Sequence, residues 1–337
     1  MPMKYLYVLV SDDSDNYLEQ ALLSMTSLRM HMPNAFISIL IDNTTEASLT
    51  GNRKNMLGLA NEIKSVKIDR RLNKKARSRW LKTSMRQHIS GDFLYIDCDT
   101  IIADDLSTLD NLNINLGAVL NEHTYLSDLA MYNPVYFGEM QAIDKKLGFV
   151  STINSNAYFN GGLLLCKDCA IGHAFFAEWH RLWLYCYEKG NITDQQSFNQ
   201  TNYTLGSVIS ELDGKWNCQI LADGGMRYLH SAKIIHYFIA LKEENPYLLA
   251  SPAILKNIKE TNCIDQKTKE MLADPKSLFA PHSQLRVIKK STRKFHRSTI
   301  YYITRWIFNT KFGAVIELPL FFIRRKILKP LLQKLSK

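Results

Sequence analysis

The sequence predicts an α/β fold: a mixed, mainly parallel sheet flanked by helices, followed by a basic, helical C-terminal tail. Three observations carry that expectation. Strand-like apolar runs alternate with helix-like stretches, as β-α-β units require. The runs are apolar at nearly every position, which marks strands covered on both faces. The excess positive charge is confined to the end of the chain.

YLYVLVS (5–11) opens the series and is followed by the helix-like DNYLEQALLSMTSLRMH. AFISILID (35–42) and the weaker EIKSVKID (62–69) supply two further strands. RLNKKARSRWLKTSMRQHI reads as a basic helix that Gly91 ends. FLYID (93–97) is the fourth strand, and its acids fall on the rim, where open α/β sheets bind ligands. NLGAVL (115–120) and AYFNGGLLLCKD (157–168) read as strands, with the two glycines of the latter inside one. CAIGHAFFAEWHRLWLYCYEK is a helix with an apolar stripe, and TDQQSFNQ (193–200) starts a short helix with Thr193 as its cap. KIIHYF (233–238) is the last strand, and the first boundary falls near 245–252, where ENPYLLASP brings two prolines.

At 337 residues and 46% hydrophobic content the chain can bury a sizeable core. The formal charge of +10 suggests nucleic acid only until its distribution is read. Residues 283–337 hold 14 Lys/Arg against one acid, Glu317, which leaves 28 basic and 31 acidic side chains in the first 282 residues. The N-terminal run lacks the order of a secretory signal, so a chain that is not secreted is expected. The six cysteines (98, 166, 169, 186, 218, 263) show no paired metal spacing and read as reduced thiols.

Four groups of residues carry candidate chemistry. Asp97-Cys98-Asp99 places two carboxylates two residues apart, so on an extended chain both point the same way and can meet one divalent cation. Two solvated acids at a strand end, or a helix cap, have the same pattern. His236 lies in an apolar strand, as hydrogen-bonded core histidines also do, with Lys242 six residues on. Asn160-Gly161-Gly162 permits a bulge or the close approach of a ligand. Asp194-Gln195 puts an acid and an amide at a helix start, as simple capping also does.

Their order and types resemble those of the retaining family 8 glycosyltransferases. FLYIDCD is similar to that family's metal-binding strand, YFNGGLLL to its second strand, DQQSFN to its helix start and HYFIALK to its late His-to-Lys element; SRWLK and DSDNY match upstream. The likeness covers about residues 3–245. It implies a GT-A type, Rossmann-like fold over a nucleotide-sugar-binding catalytic domain at 1–250, with a helical connector at 251–282. It implies that Asp97, Asp99 and His236 ligate Mn2+ or Mg2+ and that Lys242 contacts the diphosphate. Asn160 and Asp194 would hold donor-sugar hydroxyls, and Gln195 would lie under the anomeric carbon. Ser11, Asp12, Tyr17, Arg79, Lys82, Asp97 and Cys98 join Lys242 as the residues that bind the nucleotide sugar, with Tyr17 stacking on the base and Asp13 competing with Asp12 for base recognition. ENPY stands where the family has Lys-Pro-Trp.

The implied activity is hexosyl transfer from a nucleotide sugar, UDP-linked, to a glycan or lipid-linked acceptor in surface polysaccharide or lipopolysaccharide synthesis. A sugar nucleotidyltransferase on a similar sheet is the alternative, but it calls for a basic, Gly-rich loop after the first strand, where this chain has the acidic SDDSDNY. A non-catalytic glycan-binding or scaffold module is a third reading.

In the tail (283–337) aromatic residues such as Tyr301, Trp306 and Phe321 interleave with Arg and Lys, and Gly313 and Pro319 break it into two helix-like pieces. No apolar stretch reaches the roughly 18–20 residues that span a bilayer. The composition fits an anchor on an anionic membrane surface, placing the protein in the cytoplasm, peripheral on the cytoplasmic face. A tail packed on the catalytic domain competes with this, and nucleic acid is disfavoured for want of a binding motif.

Overall fold

In a computed structural model the described residues are 3–55, 57–220, 222, 225–237, 249, 251–279 and the single positions 299 and 315. In chain order the elements are β1 (Lys4–Leu9), α1 (Tyr17–His31), β2 (Phe36–Asp42), α2 (Asn43–Ser48), α3 (Asn52–Asn55), β3 (Glu62–Val66), α4 (Lys74–His88), β4 (Phe93–Ile96), β5 (Thr100–Ile102) and β6 (Leu116–Ala118). They continue with α5 (Leu126–Tyr132), α6 (Pro134–Leu147), α7 (Ser151–Asn154), β7 (Leu163–Cys166), α8 (Ala170–Glu188), α9 (Gln195–Thr204), β8 (Ser210–Glu211), β9 (Cys218–Gln219), β10 (Ile234–His236), α10 (Pro252–Thr261) and α11 (Gln266–Ala273).

Seven strands form one sheet in the order β3-β2-β1-β4-β7-β6-β8. The first four are parallel, β7 runs antiparallel to both its neighbours, and β6 pairs parallel with β8. This is the mixed, mainly parallel α/β sheet expected. A second sheet, β5-β10-β9, stands beside it.

Burial on both faces explains the continuous apolar runs. Tyr5, Tyr7 and Leu9 enter one core with α1, α10, α11 and the small sheet, while Leu6, Val8 and Val10 enter the other with α4, α8 and α9. Leu94 and Ile96 alternate with Phe93 and Tyr95 in the same way, as strand periodicity requires. On the second face Trp179 of α8 is fully buried, with its ring centroid 4.8 Å from that of Phe198 on α9. Truncating such a side chain to alanine costs about 3–5 kcal/mol.

Two expectations about local structure are corrected. Asn160-Gly161-Gly162 does not lie inside a strand: β7 begins at Leu163, and the preceding residues turn, joined to the sheet by a bridge between Phe159 and Leu120 and by single backbone hydrogen bonds such as Asn160 N–H to Val119 O. The Asn160 side chain gives the reason: its Oδ1 accepts Gly162 N–H at 2.9 Å, so a local turn takes that donor from the ladder. The cap of α9 is Asp194 rather than Thr193, and the Asp194 side chain makes no capping hydrogen bond.

The segment expected as a helical connector forms α10 and α11, which bury Leu255, Ile258 and Leu272 in the same core as β1 and β2. Lys259 donates to the Asp15 carbonyl at 2.6 Å, tying α10 to the loop after β1. The expected tail helices and Lys242 lie outside the described residues. Among the described residues no helix is long and apolar enough to cross a membrane. All six cysteines are free.

Candidate active site

The carboxyl ends of β1 and β4 open onto two adjoining cavities of about 320 Å³ and 360 Å³. The tripeptide Asp97-Cys98-Asp99 sits between them as the crossing from β4 of the large sheet to β5 of the small one. The Asp97 N–H still donates to Gly162 O in the manner of the large sheet, while Asp99 O accepts from Tyr237 N–H of the small one. β5 pairs antiparallel with β10, and the register sets His236 opposite Thr100. That pairing brings a histidine from far along the chain to the two acids.

Asp97, Asp99 and His236 each offer one ligand atom, all within 4.8 Å of one another. His236 Nε2 lies 3.2 Å from Asp99 Oδ1 and 4.0 Å from Asp97 Oδ2. Burial opposes ionisation of Asp99, but the adjacent His236 outweighs it, and the carboxyl is held below its ordinary range. Asp97 Oδ1 accepts from the Tyr95 hydroxyl and from Lys82 Nζ at 3.2 Å. A Cβ on Gly162 would fall 2.3 Å from His236 Cε1, so the imidazole occupies a seat that only glycine leaves open.

Helix α4 presents cations to the same place. Asn73 starts it by accepting Ala76 N–H at 2.9 Å, and Arg79 and Lys82, three residues apart, share one face. Arg79 Nε stands 2.8 Å from Asp194 Oδ1 as an ion pair without hydrogen-bond alignment, and Lys82 Nζ stands 3.2 Å from Asp194 Oδ2. Burial raises the Asp194 pKa, but Arg79 and then Lys82 overcome it and bring the value down to about 2. Asp194 in turn holds the Arg79 guanidinium more firmly protonated than usual. The Asp194 carbonyl accepts from Trp179 Nε1 at 3.3 Å, so core packing fixes where this acid stands.

Asn160, Gly161, Asp194 and Gln195 line the second cavity with Asp97, Asp99 and His236. A Cβ on Gly161 would meet Lys82 Nζ, Asp194 Oδ2 and Gln195 Oε1 at 3.7–3.9 Å, an ordinary contact. Gln195 donates its amide N–H to Phe159 O, which turns its carbonyl end toward Gly161. An asparagine side chain can both donate and accept at a ligand. The Oδ1 of Asn160 already accepts from Gly162 N–H at 2.9 Å and from Asn217 Nδ2 at 3.0 Å, which leaves the side chain chiefly as a donor.

The first cavity is walled by Val8, Val10, Tyr17, Lys74, Arg79 and Cys98 among others. The half-exposed Tyr17 borders both cavities. Ser11 is buried and occupied: it donates to Asp15 Oδ1 at 2.7 Å and accepts from Arg53 at 2.8 Å. The Asp12 carboxylate pairs with Lys74 at 2.7 Å and accepts from Ser14, which hold its pKa well below the usual carboxylate range; Asp13 pairs with Arg53 at 3.4 Å. Cys98 turns its thiol toward Val8 O, and burial with the flanking acids raises its pKa, so it stays protonated.

Sequence reasoning missed Lys74, Tyr95 and Asn217. Lys74 read as one more cation of a basic helix, and Tyr95 as a core strand residue. Asn217 sits in the turn GKWN, whose Asn and Gly signal a loop and nothing further.

The family model for glycosyl transferase family 8 matches residues 8–243. No curated protein matches the sequence. Similar solved structures include the bifunctional glycosyltransferase WbbM in its apo form, at 17% identity and TM-score 0.48, covering 73% of this chain and 46% of that one. This chain thus spans about half the length of WbbM. Others are mouse xyloside xylosyltransferase 1 (14% identity, TM-score 0.45, covering 69% and 97%) and the galactosyltransferase LgtC with donor and acceptor sugar analogues (13%, 0.46, 80% and 99%). With the family model matched over the greater part of its length, the chain belongs to glycosyl transferase family 8 and is a glycosyltransferase.

Proposed function

We propose that the protein is a metal-dependent, retaining glycosyltransferase that moves a hexose from a UDP-sugar to a hydroxyl of a glycan or lipid-linked acceptor in surface polysaccharide or lipopolysaccharide synthesis. The observation that carries this reading is the convergence of Asp97, Asp99 and His236 within 4.8 Å at the junction of two cavities. Two carboxylates and an imidazole suit Mn2+ or Mg2+, and the Gly162 seat supports the fit by leaving room for the His236 ring. When bound, such a cation supplies positive charge against the negative charge that develops on a diphosphate leaving group.

The remaining roles belong to the chain's own residues. Tyr17 stacks on the base, Ser11 shapes the loop beneath it through Arg53 and Asp15, and Asp12, oriented by Lys74, accepts from the base. Cys98 contributes backbone and a neutral side chain between the acids. Arg79 and Lys82 add fixed positive charge near the phosphates, joined by Lys242, so that charge stabilisation is in place before the bond breaks. Asn160 donates to a sugar hydroxyl and Asp194 accepts from one. Asp194 is a poor nucleophile because two cations hold its carboxylate, and Gln195 is an amide; both facts favour attack by the acceptor hydroxyl from the leaving-group side over a covalent double displacement. Residues 283–337, with 14 basic side chains and interleaved aromatics, attach the enzyme to an anionic membrane surface on the cytoplasmic side.

Donor hydrolysis across a panel of UDP-sugars, with and without Mn2+, tests the reading. Turnover of one UDP-hexose that depends on the metal is expected; no binding or turnover of any nucleotide sugar with metal present would overturn it. For the tail, sedimentation with anionic vesicles should be lost when residues 283–337 are removed, and equal partitioning of the two forms would refute the attachment.

A further inference from the structure

We propose that Asn217 is a positioning residue that fixes the tautomer of His236, as one link in a relay of amide hydrogen bonds that begins at Tyr136; this rests on the metal reading above. The relay is continuous. Asn121 Nδ2 donates to the Tyr136 hydroxyl at 3.3 Å, Asn160 Nδ2 donates to Asn121 Oδ1 at 3.2 Å, and Asn217 Nδ2 donates to Asn160 Oδ1 at 3.0 Å. Asn217 Oδ1 then lies 2.9 Å from His236 Nδ1.

An amide can be turned over without changing its shape, so the direction of such a chain needs an anchor. Gly162 provides one. Its backbone N–H, which can only donate, points at Asn160 Oδ1 at 2.9 Å. The oxygen of Asn160 is thereby identified, Asn217 must face it with Nδ2, and Asn217 must face His236 with its carbonyl. His236 therefore carries a proton on Nδ1, which leaves Nε2, the nitrogen that faces Asp99 and Asp97, as the one to ligate a metal.

Asn217, His236 and Asn160 are all buried, so the two inner links form away from water and each leaves a desolvated group behind if it is cut. The same geometry joins two subsites. The amide expected to meet the donor sugar, Asn160, and the imidazole expected to meet the cation, His236, are oriented by opposite ends of one side chain. Helix α6, which carries Tyr136, is the outer end of the relay.

The test is Mn2+ affinity of the intact protein without donor, measured by the electron paramagnetic resonance signal of free Mn2+, together with the thermal midpoint. Asn217→Ala is expected to weaken Mn2+ about 10- to 100-fold. Asn217→Asp keeps an acceptor for Nδ1–H and should return to within a few-fold of wild type, while its KM for the UDP-sugar stays raised because Asn160 has lost a donor. A merely structural role would move stability in both variants without separating their metal affinities. An Asn217→Ala protein that binds Mn2+ as tightly as wild type would overturn the relay alone, whereas failure of the wild type to bind Mn2+ would remove the metal reading and the relay together. Should Asn217→Ala not fold, Asn217→Asp decides: Mn2+ binding tenfold or more below wild type contradicts the proposal.

Discussion

Gly162 lies against His236 so closely that a methyl group on it would stand 2.3 Å from the imidazole, while Gly161, its neighbour, would meet its surroundings at 3.7 Å or more. The two glycines should therefore respond in opposite ways to the same substitution. Gly162→Ala must displace His236 or the turn, at roughly 1–3 kcal/mol of stability, and should lower turnover at least about 100-fold by spoiling an electrostatic site. Gly161→Ala should leave the thermal midpoint nearly unchanged and raise the donor KM by filling the sugar cavity. Thermal unfolding and steady-state kinetics on both variants give the comparison; equal effects at the two positions would contradict the assignment.

Asp194 gives a pH signature. Its folded pKa of about 2 lies below the unfolded value near 3.9, so its stabilisation is complete above pH 4 and is lost as pH falls toward 2. The amount is about 2–3 kcal/mol at 1.36 kcal/mol per pH unit. Asp194→Asn should be less stable at neutral pH, because Arg79 and Lys82 lose their partner. It should also lack this part of the acid slope. Urea midpoints between pH 4 and 2 measure the difference.

His123 should act at milder pH. It is buried, its Nε2 accepts Gln219 N–H at 2.9 Å, and burial, then Arg227, push its pKa down to about 4. The folded state thus resists a proton that the unfolded chain takes up near pH 6.5, so stability is full above that pH and is lost as pH falls toward 4. Roughly 3 kcal/mol is at stake. His123→Gln keeps an acceptor for Gln219 and should flatten the stability profile over that window; an unchanged profile would show that His123 does not titrate there.

Lys74 holds Asp12 at 2.7 Å and Asp15 at 2.6 Å and borders the first cavity. Lys74→Met should free the Asp12 carboxylate from its fixed orientation and weaken UDP binding about tenfold, with kcat changed less than about twofold. Isothermal titration with UDP reads this directly.

Much of the fold was legible because strands buried on both faces leave long apolar runs, and because Asp97 and Asp99 interrupt such a run at its end. The histidine was legible as a type of residue in a pattern, but its approach to Asp99 depends on β5 pairing with β10, and nothing local encodes that pairing. Asp194 shows the limit from the other side. An acid at a helix start reads as a cap, and only the tertiary arrangement shows Arg79 and Lys82 claiming its carboxylate. Asn217 was invisible because an asparagine in a turn is ordinary; its significance lies in which atom of it meets which neighbour.

The crossing at Asp97-Cys98-Asp99 has a mechanical consequence. Strand β4 of the large sheet ends at Ile96 and β5 of the small one starts at Thr100, while His236 enters from β10, the central strand of the small sheet. A cation gripped by these three side chains would act as a rivet between two sheets that otherwise meet through packing, backbone hydrogen bonds and amide side chains such as Asn217 and Gln219. Amide exchange in β5 and β10 should slow on addition of Mn2+, while exchange in β2 and β3, at the far edge of the large sheet, should not change.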